Sequence, residues 1–275
     1  MSDSQSINSR ILLSKVLIVL SVLLYLGTYT LGPLFEYIDP VTKEVEFDPE
    51  NLSFQPFKFL MPDGLEEMTV PPEQQKYLGK VSYEFFPEGI YAYLIGYKTM
   101  PIWRVSLEAP QYPKASYPEG IPVYFTLTDF RGQVVEMNVI NHYIGMDPME
   151  VGAFKVRKMV PFLIGGALLC LMVSLFYSGP FWWILTLGPS AFPWIYMGTY
   201  IYWLYWFGHN LHSYGAFTIK PFMPTVIGDG KVAQFTTHSY PAVGFYFLFF
   251  GFILIILSTL IKRKALKEKK ETIRI

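Results

Sequence analysis

Four histidines carry most of the chemistry this chain offers: His142, His209, His212 and His238. Neutral imidazole binds copper, zinc or iron, and it also ligates haem iron. His209 and His212 stand at i and i+3, so a continuing helix puts them on one face. His142 lies near Met146 and Met149, whose thioethers favour cuprous ions. A metal site drawn from His209, His212, His238 and His142 is one expectation, with copper or haem as the group held. There, His209 or His212 pairs with His238, each imidazole roughly 2 Å from the shared ion. The plainer expectation is that these histidines mark polar–apolar boundaries and that the chain holds no cofactor.

Other reactive groups are sparse. No serine, threonine or cysteine sits in a recognisable nucleophile motif, and no glycine-rich phosphate loop occurs. Asp147 and Glu150 could assist a base at His142, but beside Pro148 they read as solvent-facing groups. Asp229, between Gly228 and Gly230, reads as a turn residue. Asn51-Leu52-Ser53 is a glycosylation sequon, meaningful only in a secretory pathway. Cys170 is the single cysteine, which excludes an internal disulfide and a cysteine zinc cluster. An outer domain without disulfides points to a prokaryotic cytoplasmic membrane, or else an organellar inner membrane.

The elements that must position these residues are membrane segments. Only 16% of the 275 residues are charged, against about 25% in soluble domains. The apolar residues gather in four runs without Asp, Glu, Lys, Arg or His: Val16–Leu31, Val160–Tyr177, Phe181–Phe207 and Pro241–Ile261. Each approaches or exceeds the roughly 18 to 20 residues that cross a bilayer. The first resembles a signal peptide, but no small-residue cleavage pattern follows Thr28-Tyr29-Thr30, so it reads as an uncleaved anchor. Gly188-Pro189 and Pro193 interrupt the third, predicting a kinked span or a re-entrant half-helix followed by a short span. Ser178-Gly179-Pro180 is short enough to force the second and third segments into a hairpin.

Lys262, Arg263, Lys264, Lys267, Lys269, Lys270 and Arg274, with Arg10 and Lys15, put both termini on the cytoplasmic side. Lys155, Arg157, Lys158, Lys220 and Lys231 weigh against that orientation. Residues 1–33 are then a tail and first span, and 262–275 a basic cytoplasmic tail. Residues 158–261 hold the remaining spans, with an outer loop over 208–240 that carries three of the histidines.

Residues 34–157 form the predicted outer domain. Glu36 to Pro72 is acidic and proline-rich and reads as irregular. Val81–Phe85, Ile90–Tyr97, Ile102–Leu107, Val123–Thr128 and Gln133–Ile140 read as strands, rich in β-branched and aromatic residues. Asp129-Phe130-Arg131-Gly132 reads as the hairpin turn between the last two. The expected fold is α+β: four transmembrane helices, with an antiparallel sandwich or barrel-like domain inserted between the first and second.

A large outer domain after the first of four helices resembles the layout of certain ABC permease subunits and of claudin-like proteins. The coupling stretch of the former has no room at Ser178-Gly179-Pro180, and the paired cysteines of the latter are missing. Formal net charge is +0, which argues against a nucleic-acid partner. Spans without ionisable groups argue against conduction or pumping by this chain alone. Small residues such as Gly165, Gly166, Gly244 and Gly251 suit close helix packing, within the chain or with a partner. The expected function is a non-catalytic accessory or scaffolding subunit, in contact with lipid and other membrane subunits. The alternative is a copper- or haem-handling membrane protein.

Overall fold

A computed structural model describes residues 3–38, 45–47, 99–110, 117–216, 219–232 and 234–274. The strands predicted at Val81–Phe85 and Ile90–Tyr97, most of the acidic stretch and the sequon lie outside these residues. The chain divides into two compact units. A helical unit takes Met1–Thr28, Phe162–Tyr196 and Tyr246–Ile275, and a sheet unit takes Tyr29–Pro161 and Met197–Phe245.

Among the described residues, three helices are long and apolar enough to cross a membrane: α1 (Asp3–Thr30), α3 (Phe154–Ser174) and α6 (Val243–Arg274). The third predicted segment is divided at Ala191 into α4 (Ile184–Ser190) and α5 (Phe192–His209). Pro189 and Pro193 flank the break, as expected of residues that cannot complete a helical hydrogen-bond ladder. Among the described residues, length and hydropathy thus mark three of the four expected segments as candidate spans.

Inside the helical unit α1 and α6 pack on heptad seams. On α1, Ile7, Ser14, Ser21 and Thr28 are buried at intervals of seven, with Ile18 and Tyr25 between them. On α6, Leu248, Gly251, Ile255, Ser258, Lys262 and Ala265 are among the buried residues. Ser258 Oγ donates to Ser14 O at 2.7 Å, and Arg10 pairs with Glu268. A Cβ placed at Gly251 would stand 2.5 Å from Tyr25 Cε1. These pairings descend on one helix as they ascend on the other, so the helices are antiparallel. Small residues face the seam and Leu12, Val16, Leu20 and Leu23 face out, an arrangement suited to lipid, where close packing and not apolar burial drives association.

In the stretch read as a basic tail, α6 continues as helix to Arg274. Lys262 is buried, its Nζ donating to Ser174 O at 2.6 Å and Tyr177 O at 2.8 Å. It also lies 4.9 Å from the Trp182 ring. A cation at the end of α3 satisfies carbonyls that the helix leaves unbonded.

The sheet unit is built on one five-stranded antiparallel sheet in the order β5-β4-β3-β7-β6. Its strands are β3 (Trp103–Glu108), β4 (Ile121–Phe125), β5 (Phe130–Gly132), β6 (Gly228–Val232) and β7 (Phe235–Pro241). A short ribbon pairs β1 (Glu36–Ile38) with β2 (Val45–Phe47). Among the described residues, this open sheet stands where a sandwich or barrel was expected. Two of its strands come from the predicted outer loop 208–240, and β7 pairs along the whole of β3.

Gln133–Ile140 was expected as a strand, but Val134–Tyr143 is a helix, α2. Valine and isoleucine gave the segment a strand composition, yet its buried residues Met137, Ile140 and Asn141 recur at helical spacing. The β4–β5 turn also sits earlier than expected. Phe125 pairs with Phe130, so the chain reverses over Thr126–Asp129, where Thr126 Oγ1 accepts from the amides of Thr128 (3.2 Å) and Asp129 (2.9 Å). Gly132 keeps its left-handed backbone, φ +81°, but at the strand's end.

α2 covers one sheet face. Met137 packs with Val123 and Met149, and Ile140 with Ile121, Ile144, Met146 and Phe235. Met146 and Met149 are therefore core residues. A buried Arg157, from the first turn of α3, donates to Gly152 O at 3.0 Å, Thr128 O at 3.3 Å and Glu150 O, and stacks over Phe130 at 4.6 Å.

Candidate functional site

Strand alternation decides which side chains reach the sheet's other face. Along β7 the residues Phe235, Thr237 and Ser239 share the core side, and Thr236, His238 and Tyr240 share the opposite one. Register sets Asp229 of β6 beside His238, and places Ser106 of β3 across from it on the other flank.

The outcome is a polar array spanning three strands. His238 Nδ1 lies 2.7 Å from Asp229 Oδ1, and His238 Nε2 lies 3.5 Å from Glu108 Oε1. The Tyr240 hydroxyl donates to Asp229 Oδ1 at 2.9 Å. Asp229 is thus a strand residue holding a histidine, not the turn residue expected. Its hydrogen bond to His238, then that from Tyr240, hold its carboxyl below the ordinary aspartate value. The same contact pushes the Tyr240 phenol above its ordinary value. Arg104 extends the array on β3, its guanidinium 2.6 Å from Glu119.

His142 and His212 form a second cluster. Both rings stack on Tyr214, at 4.7 and 5.0 Å between centroids. His212 Nε2 lies 2.9 Å from Asp147 Oδ1, and the Tyr214 hydroxyl donates to Met146 O at 3.1 Å. The segments interlock through glycine: His212 N donates to Gly145 O at 2.7 Å, and a Cβ at Gly145, φ +83°, would meet His212 O at 2.5 Å. Asp147 and Glu150 are engaged, with His212 and with Asn138, where solvent-facing groups were expected.

His209 stands apart, stacked on Tyr205 at 3.9 Å with Nδ1 2.8 Å from the Tyr205 carbonyl of its own helix. The expected partners are thus reassorted. His212 meets His142 across Tyr214, and His238 meets carboxylates on both of its ring nitrogens. Among the described residues, no group of three or more His, Cys, Asp or Glu is placed to hold a metal ion.

The His238 array can hold and pass a proton and can present fixed charge. Ser106, the one hydroxyl directly across from His238, is 3% exposed, and the imidazole Nε2 is directed at Glu108. Ser106 therefore does not pair with His238 as a nucleophile with its base. Sequence reasoning missed Glu108 and misread Asp229. The alternation in Phe235-Thr236-Thr237-His238-Ser239-Tyr240 was the available signal for a strand there. No protein-family model, no characterised protein and no solved structure matches the chain.

Proposed function

We propose that this chain is a non-catalytic accessory or scaffolding subunit of a larger membrane complex, whose outer sheet domain positions an extracytoplasmic partner. The observation that carries the reading is the array Glu108–His238–Asp229–Tyr240. It fixes charge on the sheet face away from α2, where the hydroxyl directly across from His238, that of Ser106, is buried. Such an array fixes orientation and partner choice more than it performs chemistry. The helical unit supports the reading, because Ser258 and Lys262 make packing contacts, with Ser14 and with Ser174.

In this reading α4 and α5 together make a fourth, broken crossing. Both termini then face the cytoplasm of a prokaryotic cell, or the equivalent side of an organellar inner membrane. Thiol labelling from each side tests that: a probe at Lys267 reacting only from outside overturns it. Mild extraction and native mass measurement test the function. Co-purifying membrane subunits in fixed ratio are expected, and a stable lone monomer refutes the assignment.

A second reading, copper or haem handling, is favoured by one observation: His142 and His212 gather on a single tyrosine beside Asp147. Elemental analysis and an absorption spectrum of mildly purified protein test it. Stoichiometric metal or haem, lost in a His142→Ala/His212→Ala variant, would favour it over the first.

A further inference from the structure

We infer that the outward face of α2 lies in the membrane interface, so that the sheet domain rests on lipid instead of standing clear of it. The helix is apolar on two sides. Met137, Ile140 and Asn141 face the sheet, while Val135, Val139 and Tyr143, at i, i+4 and i+8, are 69%, 55% and 41% exposed. His142 shares that outer arc, and the helix's acidic residue, Glu136, flanks it. A water-facing helix presents charge on the side away from its core; a helix apolar all round is covered on both sides.

The cover is identified by what α2 is tied to. Asn138 holds Glu150, donating at 2.8 and 3.0 Å, and accepts from Met149 N at 2.9 Å. Arg157, in the first turn of α3, grips Glu150 O and Gly152 O of the same segment. α3 is a candidate membrane span that begins at Phe154. Its turns through Pro161 belong to the sheet unit, so this tie is internal to that unit. α2 is thus held beside the point where a span enters the bilayer. On the first two turns of α3, Val156 and Met159 are likewise exposed. Lys155 and Lys158, on the same turns, are placed for anionic headgroups, with Lys158 Nζ 4.1 Å over the Phe154 ring. An uncharged stripe with a tyrosine at one end, flanked by a basic turn, is the chemistry of an interfacial helix.

The test uses the full chain with Cys170→Ser, nitroxide-labelled one site at a time, in phosphatidylcholine vesicles containing phosphatidylglycerol. Labels go at Val139, at Val135 as a second α2 site, at Leu20 on the outer face of α1 and at Lys231 on the sheet. At Val139 and Val135, collisions with dissolved oxygen are expected to outweigh those with a water-soluble nickel complex, as at Leu20. Preferential access to nickel, as at Lys231, overturns the inference. So does a label shielded from both quenchers, which means protein covers the helix. Neither result bears on the accessory-subunit reading, which native mass measurement decides separately.

Discussion

Ser239 is the residue whose loss the sheet unit should tolerate least for its size. It is fully buried on β7. Its hydroxyl donates to Val226 O at 2.8 Å and accepts from Trp103 Nε1 at 2.8 Å. Because its proton is committed to Val226, the 3.0 Å contact with Tyr200 makes the phenol the donor. Trp103 is 1% exposed, and its indole has a single donor. Ser239→Ala therefore strands that N–H in a dry site, at about 1–3 kcal/mol, and removes two further hydrogen bonds worth about 1 kcal/mol each. The sum is about 3–5 kcal/mol, a large part of a domain's stability. For a domain of this size it corresponds to a fall of about 10 °C in Tm. Thermal unfolding in nanodiscs, followed by tryptophan emission, reads it. Adding Trp103→Phe removes the stranded donor, so the double variant should fall by less than the two single losses combined. A Ser239→Ala loss under about 1 kcal/mol, or strict additivity in the cycle, refutes the reasoning.

Gly251→Val drives a branched side chain into the Tyr25 ring, 2.5 Å from its first added carbon. It should cost about 1–3 kcal/mol and reduce disulfide trapping between Ser14→Cys and Ser258→Cys, measured on non-reducing gels. Lys262→Met removes both hydrogen bonds at the end of α3 and should lower stability by about 2 kcal/mol in the same unfolding assay, while Lys262→Arg should lose less. Asp229 has a depressed folded value, so its contribution is complete above the ordinary aspartate range, about 3.9, and is lost as pH falls through the depressed value. Tm measured against pH in that acid window should fall less steeply in Asp229→Asn, and a slope equal to the parent's contradicts the assignment.

The spans were legible where twenty or so apolar residues make one choice, and least legible where two choices compete. In the third segment an apolar run favoured a crossing, while Pro189 and Pro193 favoured a break. Composition alone does not say whether such a segment crosses. β3 and β4 were visible as β-branched and aromatic runs. α2 was not, because Val134, Val135, Val139 and Ile140 suit either element and only packing against Val123 and Ile121 decides. β6 and β7 were hidden by their place in the chain. A stretch between two spans reads as a loop until its long-range pairing with β3 is known.

The same limit governs the site. His238 was a visible residue, but its chemistry belongs to register: a one-residue slip of β6 against β7 would send Asp229 to the other face and leave the imidazole without its closest partner. Histidine spacing within one segment said little for the same reason. His209 and His212 are three residues apart, yet α5 ends at His209 and His212 turns instead onto Gly145 and Asp147. Lys262 repeats the point in the helical unit. Counted as charge it reports orientation. Counted as a donor it binds the end of α3, because a cation immediately after an apolar stretch can reach the open carbonyls of its neighbour. Ser258, Lys262 and His238 each acquire their role from a partner more than eighty residues away or on another strand. Their types could be read from the sequence, and their pairings only from the fold.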